Sequence, residues 1–270
     1  MRVALFIPCY VDQLRPEVGL ATLDVLEALG IETVFPEDQT CCGQPFLTAG
    51  ETDGARELGR RHARIFEDFD AIVTPSGSCA ATLRQHLPRL VPEARAMEVA
   101  DRTRELCEFL VEQGALEGLR GRLGPVAGSV GLHASCHALR ELRLGSPSET
   151  REPPRPDPAR LLLECIEGLE LVDPARRDEC CGFGGIFSVT EEAVSCRMGL
   201  DRLADHRSAG ARIITSTDVS CLLHLEGLAR RRGLPIRTLH VAEILAASLG
   251  AAQGASESSP LAKGGPHGAR

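Results

Sequence analysis

The strongest constraint on the fold is a cysteine pattern that occurs twice along the 270-residue chain. Two adjacent cysteines followed by glycine stand at residues 41–43 and again at residues 180–182. A single small metal ion is poorly suited to two neighbouring thiolates, because the chelate ring is strained. Neighbouring irons of one cluster suit them better, and glycine lets the backbone come close. Each Cys-Cys-Gly is therefore predicted to be the centre of a metal-binding half.

Each Cys-Cys-Gly also has one cysteine well before it and one well after it. The two sets are Cys9, Cys41, Cys42 and Cys79, and then Cys136, Cys180, Cys181 and Cys221. A proline-rich insertion at residues 145–158 accounts for the longer first interval of the second set. A recurrence of this kind predicts an internal duplication. We place the first half at residues 1–124 and the second half at residues 125–250.

Short apolar runs precede the cysteines and predict buried strands. The main runs are residues 3–7, 71–74, 126–133 and 212–215. In open α/β sheets ligands bind beyond the carboxyl ends of parallel strands. We therefore predict an α/β fold in which each half is a short, largely parallel sheet flanked by helices, with its cysteines at the carboxyl ends of strands. Residues 97–100 and 239–242 are expected to be equivalent closing segments.

Composition argues against several classes of protein. The chain has 38 acidic and 30 basic side chains and a net charge of −8, so nucleic acid is not expected as a ligand. No apolar run is long enough for a membrane span, and the apolar start at residues 1–7 is too short for a signal peptide. A cytoplasmic protein is predicted. Residues 251–270 have little to bury and are predicted to be a disordered tail.

The cysteines favour a metal over disulfides, because eleven is an odd number and cytosolic thiols stay reduced. Four converging thiolates repel one another unless a cation is present. An iron–sulfur cluster and zinc are both compatible with this requirement. Cys221 and His224 have the spacing of a zinc knuckle. The first half has Thr82 in place of that histidine, so zinc in both halves would be bound by cysteine alone.

Other residues near the pattern have less specific interpretations. Three histidines lie near predicted ligands, and we interpret His133, His137 and His224 as hydrogen-bond donors to sulfur or as packing residues. Cys107 and Cys165 lie in apolar helical segments and are predicted to be core residues. Cys196 has no counterpart in the first half, and no catalytic residue is assigned.

Together these motifs resemble those of the CCG-domain iron–sulfur proteins. The matching stretches are residues 41–45, 75–79, 135–142, 180–189 and 218–222. The resemblance covers about residues 1–249. This family includes the cysteine-rich subunit of heterodisulfide reductase and the iron–sulfur subunits of glycolate oxidase and of anaerobic glycerol-3-phosphate dehydrogenase.

The resemblance implies an iron–sulfur electron-transfer subunit of a complex that oxidises L-lactate to pyruvate. The implied partners are a ferredoxin-like iron–sulfur subunit and a third, small subunit. The eight repeated cysteines would hold two iron–sulfur clusters, expected to be [4Fe–4S], with one in each half. Glycolate, glycerol 3-phosphate or a disulfide is an alternative substrate. A zinc-stabilised scaffold protein without a redox role is the alternative from another class.

The chain departs from the heterodisulfide reductase relatives at two positions. Those relatives have a fifth cysteine in each half, where this chain has Ser76 and Asp218. The type of cluster therefore stays open, and these two side chains are alternative oxygen ligands.

Overall fold

The chain forms two four-stranded parallel sheets, one from each half. The computed structural model describes residues 1–252. The strands are β1 (Val3–Leu5), β2 (Thr33–Val34), β3 (Ala71–Thr74), β4 (Thr103–Glu105), β5 (Gly128–Leu132), β6 (Leu169–Val172), β7 (Ile213–Ser216) and β8 (Arg237–His240). Their order is β2-β1-β3-β4 in the first sheet and β6-β5-β7-β8 in the second. The predicted α/β fold with two repeated, parallel halves is confirmed.

Helices surround both sheets. The helices of the first half are α1 (Cys9–Leu14), α2 (Pro16–Ala28), α3 (Gln44–Thr48), α4 (Thr52–Phe66), α5 (Gly77–Ala81), α6 (Leu87–Leu90), α7 (Ala94–Arg102), α8 (Leu106–Glu112) and α9 (Ala115–Gly118). Those of the second half are α10 (Pro158–Glu164), α11 (Phe187–Thr190), α12 (Glu192–Ser208), α13 (Val219–Arg231) and α14 (Val241–Ala252). Thr82–His86 and His137–Glu141 are π-helical turns.

The central strands are buried on both faces because helices cover each sheet. Every residue of β3 and of β7 is buried, which explains why their sequences are short apolar runs without alternation. The edge strand β2 has only two residues and is partly exposed.

The predicted equivalence of residues 97–100 with residues 239–242 is wrong. Residues 97–100 lie inside α7, and the strand equivalent to β8 is β4. Glu105 and His240 end these two strands, and each pairs with the last residue of the third strand of its sheet. The segment that forms β4 reads Thr-Arg-Glu and has no apolar run, so nothing in its sequence signalled a strand.

The two halves share one apolar core. Helix α2 packs against α14, and α8 packs against α10, so helices of one half cover helices of the other. Leu26 and Leu110 of the first half lie in the same buried cluster as Leu163 and Leu245 of the second. Each such leucine contributes about 1.5–3 kcal/mol when fully buried. The helices of each half are therefore stabilised by packing against helices of the other half.

Two further predictions concern a membrane span and the C-terminal tail. No helix within residues 1–252 is both long enough and apolar enough to cross a membrane. Residues 251 and 252 belong to α14, and the rest of the predicted tail, residues 253–270, lies outside the described residues.

Candidate metal centres

The four cysteines of the first half converge at the carboxyl ends of three strands. Cys9 begins α1 after β1, Cys41 and Cys42 follow β2, and Cys79 lies in α5 after β3. The Sγ atoms of Cys9 and Cys41 are 3.8 Å apart, and those of Cys42 and Cys79 are 3.3 Å apart. The strand order therefore brings together residues that are far apart in sequence, as the position of ligand sites in parallel sheets predicts.

The second half repeats this arrangement. The thiols of Cys136 and Cys180, of Cys180 and Cys181, and of Cys181 and Cys221 lie close enough to shift one another's pKa. A ring nitrogen of His133 and the Sγ atoms of Cys181 and Cys221 all lie within 4.8 Å of one another. The second site thus contains four thiols and one imidazole.

The glycine of each Cys-Cys-Gly has a backbone conformation that other residues rarely adopt. Gly43 has φ +90° and Gly182 has φ +88°, both in the left-handed region. This turn directs the N–H of Gly43 to Sγ of Cys41 at 3.4 Å, and the N–H of Gly182 to Sγ of Cys180 at 3.3 Å. The glycine therefore supplies the first sulfur of each pair with a backbone donor.

That first sulfur is also the favoured thiolate of its site. Hydrogen bonds from Cys42 and then Cys9 lower the pKa of the Cys41 thiol to about 3. Hydrogen bonds from Cys136 and then Cys181 lower the pKa of Cys180 to about 2. The thiols beside Cys41 and Cys180 shift the other way. Hydrogen bonding to the neighbouring sulfur, together with burial, raises the pKa of Cys9, Cys42, Cys136 and Cys181.

These sites fit a cation of high charge. All of these cysteines are free thiols, and the sulfur separations exceed the roughly 2.05 Å of a disulfide. Without a cation a second thiol can ionise only at a high pKa, because the thiolate beside it repels the new charge. Four sulfur donors match both an iron–sulfur cluster and tetrahedral zinc. The donor set is thus that of a metal centre in each half.

Both sites open onto one cavity of about 570 Å³. Its lining includes all eight repeated cysteines and, between them, Tyr10, Gln44, His137 and Phe183. The rings of Tyr10 and Phe183 meet edge to face across the halves, with centroids 5.8 Å apart. The two candidate centres therefore face each other, an arrangement that spacing within each half does not predict.

Ser76 and Asp218 meet between the two sites. The hydroxyl of Ser76 donates to Oδ1 of Asp218 at 2.7 Å, and so does the hydroxyl of Ser78, also at 2.7 Å. The N–H of Ser78 lies 3.1 Å from both carboxylate oxygens, and the hydroxyl of Ser135 donates to Oδ2. Asp218 is only 1% exposed. Its carboxylate joins loops of both halves, and ligation of metal by either oxygen side chain stays a prediction.

The histidines near the cysteines have three different environments. His133 is fully buried, and burial together with the charge of Arg202 lowers its pKa to about 3. His137 lines the cavity, with Nε2 3.1 Å from Nε2 of Gln44. His224 lies 3.3 Å from the carbonyl oxygen of Ser195, and burial lowers its pKa.

The remaining cysteines do not line the cavity. Cys107 lies in the core shared by the halves and Cys165 packs against it, which confirms their predicted role. Cys196 is half-buried in α12.

Sequence reasoning did not identify Ser78 and Ser135 as parts of the site. Each stands directly before a cysteine of the pattern, as Ser220 also does. That recurrence of Ser-Cys was a usable signal.

Two parallel sheets with a Cys-Cys-Gly site at the carboxyl ends of each define a duplicated cysteine-rich protein. The model of the CCG cysteine-rich domain matches residues 3–84 and 130–226, and the chain belongs to this family. The chain is 40% identical over 249 residues to lactate utilization protein A of Geobacillus kaustophilus, covering 91% of this chain and 98% of that protein. It is 38% identical over 250 residues to lactate utilization protein A of Anoxybacillus flavithermus, covering 91% and 99%.

Among solved structures, a glutamate racemase from Francisella tularensis is similar over 94% of this chain and 78% of that chain. Its sequence identity is 10% and its TM-score is 0.35, too low to indicate a common function.

Proposed function

We propose that the chain is an iron–sulfur electron-transfer subunit of a complex that oxidises L-lactate to pyruvate. The observation that carries this proposal is the convergence of eight free cysteines, four from each half, on one cavity. Relatives named lactate utilization protein A, which match over nearly their whole length, support lactate as the substrate.

Each half would hold one cluster, of the [4Fe–4S] type. The ligands are Cys9, Cys41, Cys42 and Cys79 in the first half, and Cys136, Cys180, Cys181 and Cys221 in the second. Clusters of this kind carry single electrons, so two of them match the two electrons released by a hydroxy acid. The protein supplies the thiolates, the backbone N–H groups of Gly43 and Gly182, and a largely apolar cavity around them.

The proposed partners are a ferredoxin-like iron–sulfur subunit and a third, small subunit, all in the cytoplasm. Ile186 and Val189 line the cavity and are 43% and 79% exposed, and Phe46 of α3 is 43% exposed. Exposed apolar side chains beside a buried site are typical of a surface that another subunit covers.

Anaerobic purification of the full chain followed by iron, sulfide and zinc analysis tests the metal. A brown protein with several irons and sulfides per chain supports the proposal. We expect Cys42→Ser and Cys181→Ser each to lose about half of the iron, because each removes a ligand from one site only. Cys196→Ser is the matched control and should keep all of it. Colourless protein with stoichiometric zinc would instead indicate the zinc-stabilised scaffold.

The substrate is tested with the assembled complex. We expect reduction of an artificial electron acceptor to depend on L-lactate and on this subunit. Reduction with glycolate or glycerol 3-phosphate but not lactate, or reduction of a disulfide substrate instead, would assign the subunit to another member of the family.

A further inference from the structure

The two sites have different side chains at one equivalent position behind their cysteines. Phe6 and His133 each stand three residues before the first cysteine of their half. The N–H of Phe6 donates to the carbonyl of Val73 at 2.8 Å, and that of His133 to the carbonyl of Thr215 at 2.7 Å. Because Val73 and Thr215 occupy the same position in β3 and β7, this pairing establishes that Phe6 and His133 are equivalent.

The environment of Phe6 is aromatic. Its ring meets His62 and Phe66 edge to face, with centroids 5.0 and 5.7 Å away. Phe6 lies in the same buried cluster as Cys42 and Cys79. A phenyl ring has no N–H or O–H group, so Phe6 offers the sulfurs no hydrogen bond.

The environment of His133 is polar and held in one orientation. Nε of Arg202 donates to Nδ1 of His133 at 3.3 Å. Arg202 has no exposed side-chain surface, and it also binds the carboxylate of Asp205 at 2.9 Å and the carbonyl oxygen of Arg176. The guanidinium is therefore fixed, and it presents a donor to one particular nitrogen of the imidazole ring.

That contact determines where the proton of the imidazole lies. A guanidinium has donors and no acceptor, so Nδ1 must accept and the ring N–H must be on Nε2. Nε2 is buried and has no hydrogen-bond partner within residues 1–252. A ring nitrogen of His133 lies within 4.8 Å of the sulfurs of Cys181 and Cys221. A protonated Nε2 can donate to sulfur but has no lone pair with which to bind a metal.

We propose that His133, oriented by Arg202, directs this unpaired N–H at the second centre, donates a hydrogen bond to sulfur there once the cluster is bound, and makes that centre more easily reduced than the first. The proposal rests on the iron–sulfur function proposed above. Reduction adds negative charge to the cluster and its thiolates, so a donor to sulfur stabilises the reduced form and raises the potential. His133 is thus a positioning residue that makes two centres with the same cysteine pattern unequal.

A reductive titration of the anaerobically purified full chain, followed by absorbance and electron paramagnetic resonance, measures the two potentials. We expect two separate one-electron steps in the unsubstituted protein. His133→Phe, which installs the residue of the first half, should lower the higher potential. The ratio of reduced to oxidised centre should fall about tenfold at fixed potential, or about 59 mV for one electron.

Two further variants separate the hydrogen bond from general structure. His133→Gln keeps an N–H close to the position of Nε2, so it should restore most of the higher potential. His62→Phe is the matched control, because it removes a buried histidine of the first half that packs on Phe6, and it should leave both potentials unchanged. In Cys42→Ser, the surviving step should be the higher one, which assigns it to the second half.

If His133→Phe fails to retain iron, Arg202→Gln gives the second measurement. It removes the guanidinium from Nδ1 and should lower the same potential by a smaller amount. Unchanged potentials in these variants, or an equal fall in both steps, would overturn this inference and leave the proposed iron–sulfur function standing. A chain that binds no iron and sulfide would overturn the proposed function, and the inference with it.

Discussion

The two halves have the same strand order and the same cysteine pattern, yet they differ in the polar groups around those cysteines. The first half has Ser76 where the second has Asp218, and Glu105 where the second has His240. Both pairs lie beside the contact between the halves rather than on the outer surface. The difference indicates that duplication set the cysteine framework, while the contact between the copies diverged into unequal partners.

Asp218 shows how this inequality works. Ser76 precedes α5 and accepts the N–H of Cys79 at 3.1 Å, which is the ordinary capping bond of a helix N-terminus. Asp218 precedes α13 but makes no capping bond to it. Its carboxylate instead accepts the N–H of Ser78, so the second half caps a helix of the first. The two cysteine sites are therefore joined through one buried charge.

Removing that charge should produce the largest effect on stability. Asp218→Ala leaves the hydroxyls of Ser76, Ser78 and Ser135 without their shared acceptor in a buried location. We expect the free energy of unfolding to fall by about 3–5 kcal/mol, because several buried donors lose their acceptor at about 1–3 kcal/mol each. Anaerobic urea unfolding of the full chain measures it.

Ser76→Ala is the control at the equivalent position. It removes one of several donors to Asp218 and the capping acceptor for the N–H of Cys79, so a loss of about 1–2 kcal/mol is expected. If Asp218→Ala and Ser76→Ala lowered the free energy of unfolding equally, the two halves would not contribute unequally to their contact. Iron spectra of Asp218→Ala also test the predicted oxygen ligation, because a spectrum identical to that of the unsubstituted protein would exclude Asp218 as a ligand.

The glycines of the two Cys-Cys-Gly turns give the next largest difference. An alanine Cβ at residue 182 would lie 2.7 Å from the carbonyl oxygen of Ser195 and 2.7 Å from Cβ of Met198. At residue 43 the nearest atom would be the carbonyl oxygen of Ala55, at an ordinary 3.6 Å. Both substitutions incur left-handed backbone strain of about 1–2 kcal/mol.

The clash adds to that strain in the second half alone. We expect Gly182→Ala to lower the free energy of unfolding by about 2–4 kcal/mol, and Gly43→Ala by about 1–2 kcal/mol. Thermal unfolding together with iron content per chain measures both. Equal losses would show that α12 moves away from residue 182 without cost.

Much of each half could be predicted from the sequence, because local patterns determine it. The strands β1, β3, β5 and β7 fall on the predicted apolar runs, and the rule that ligands lie beyond strand ends places the cysteines correctly. Strand β4 was missed because its residues are polar and its burial comes from β3, α5 and α8. The pairing of Ser76 with Asp218 joins residues 142 positions apart. It depends on how α2, α8, α10 and α14 pack, which no local pattern encodes.

The residues that end the fourth strands should give the two halves opposite responses to pH. Burial raises the pKa of Glu105 from 4.5 to about 8. The folded protein therefore keeps a proton that the unfolded chain releases, and stability is lost as the pH rises from 4.5 to 8. Burial lowers the pKa of His240 from 6.5 to about 4. The unfolded chain then binds the extra proton, and stability is lost as the pH falls from 6.5 to 4.

Substitution of each residue should remove only its own part of the pH dependence. Glu105→Gln keeps an acceptor for the N–H groups of Cys107 and Glu108, and His240→Asn keeps one for that of Ala242. Relative to the unsubstituted protein, we expect Glu105→Gln to gain about 1.4 kcal/mol per pH unit between pH 4.5 and 8, and His240→Asn to gain the same per unit as the pH falls from 6.5 to 4. Unfolding free energies at several pH values measure this. Parallel curves for all three proteins would contradict it.

The smallest effect is expected in the proline-rich insertion, which the first half lacks. Arg140, beside the second centre, forms an ion pair with Glu149 of the insertion, with Nε–Oε1 at 2.6 Å, and a second with Asp178 at 3.3 Å. The Glu149 side chain is 52% exposed, so water screens its pair. We expect Glu149→Gln to lower the free energy of unfolding by less than about 1 kcal/mol. Iron content should not change, since Asp178 still binds Arg140. A loss of iron from the second site, with the first unaffected, would show instead that the insertion supports the cysteines of its own half.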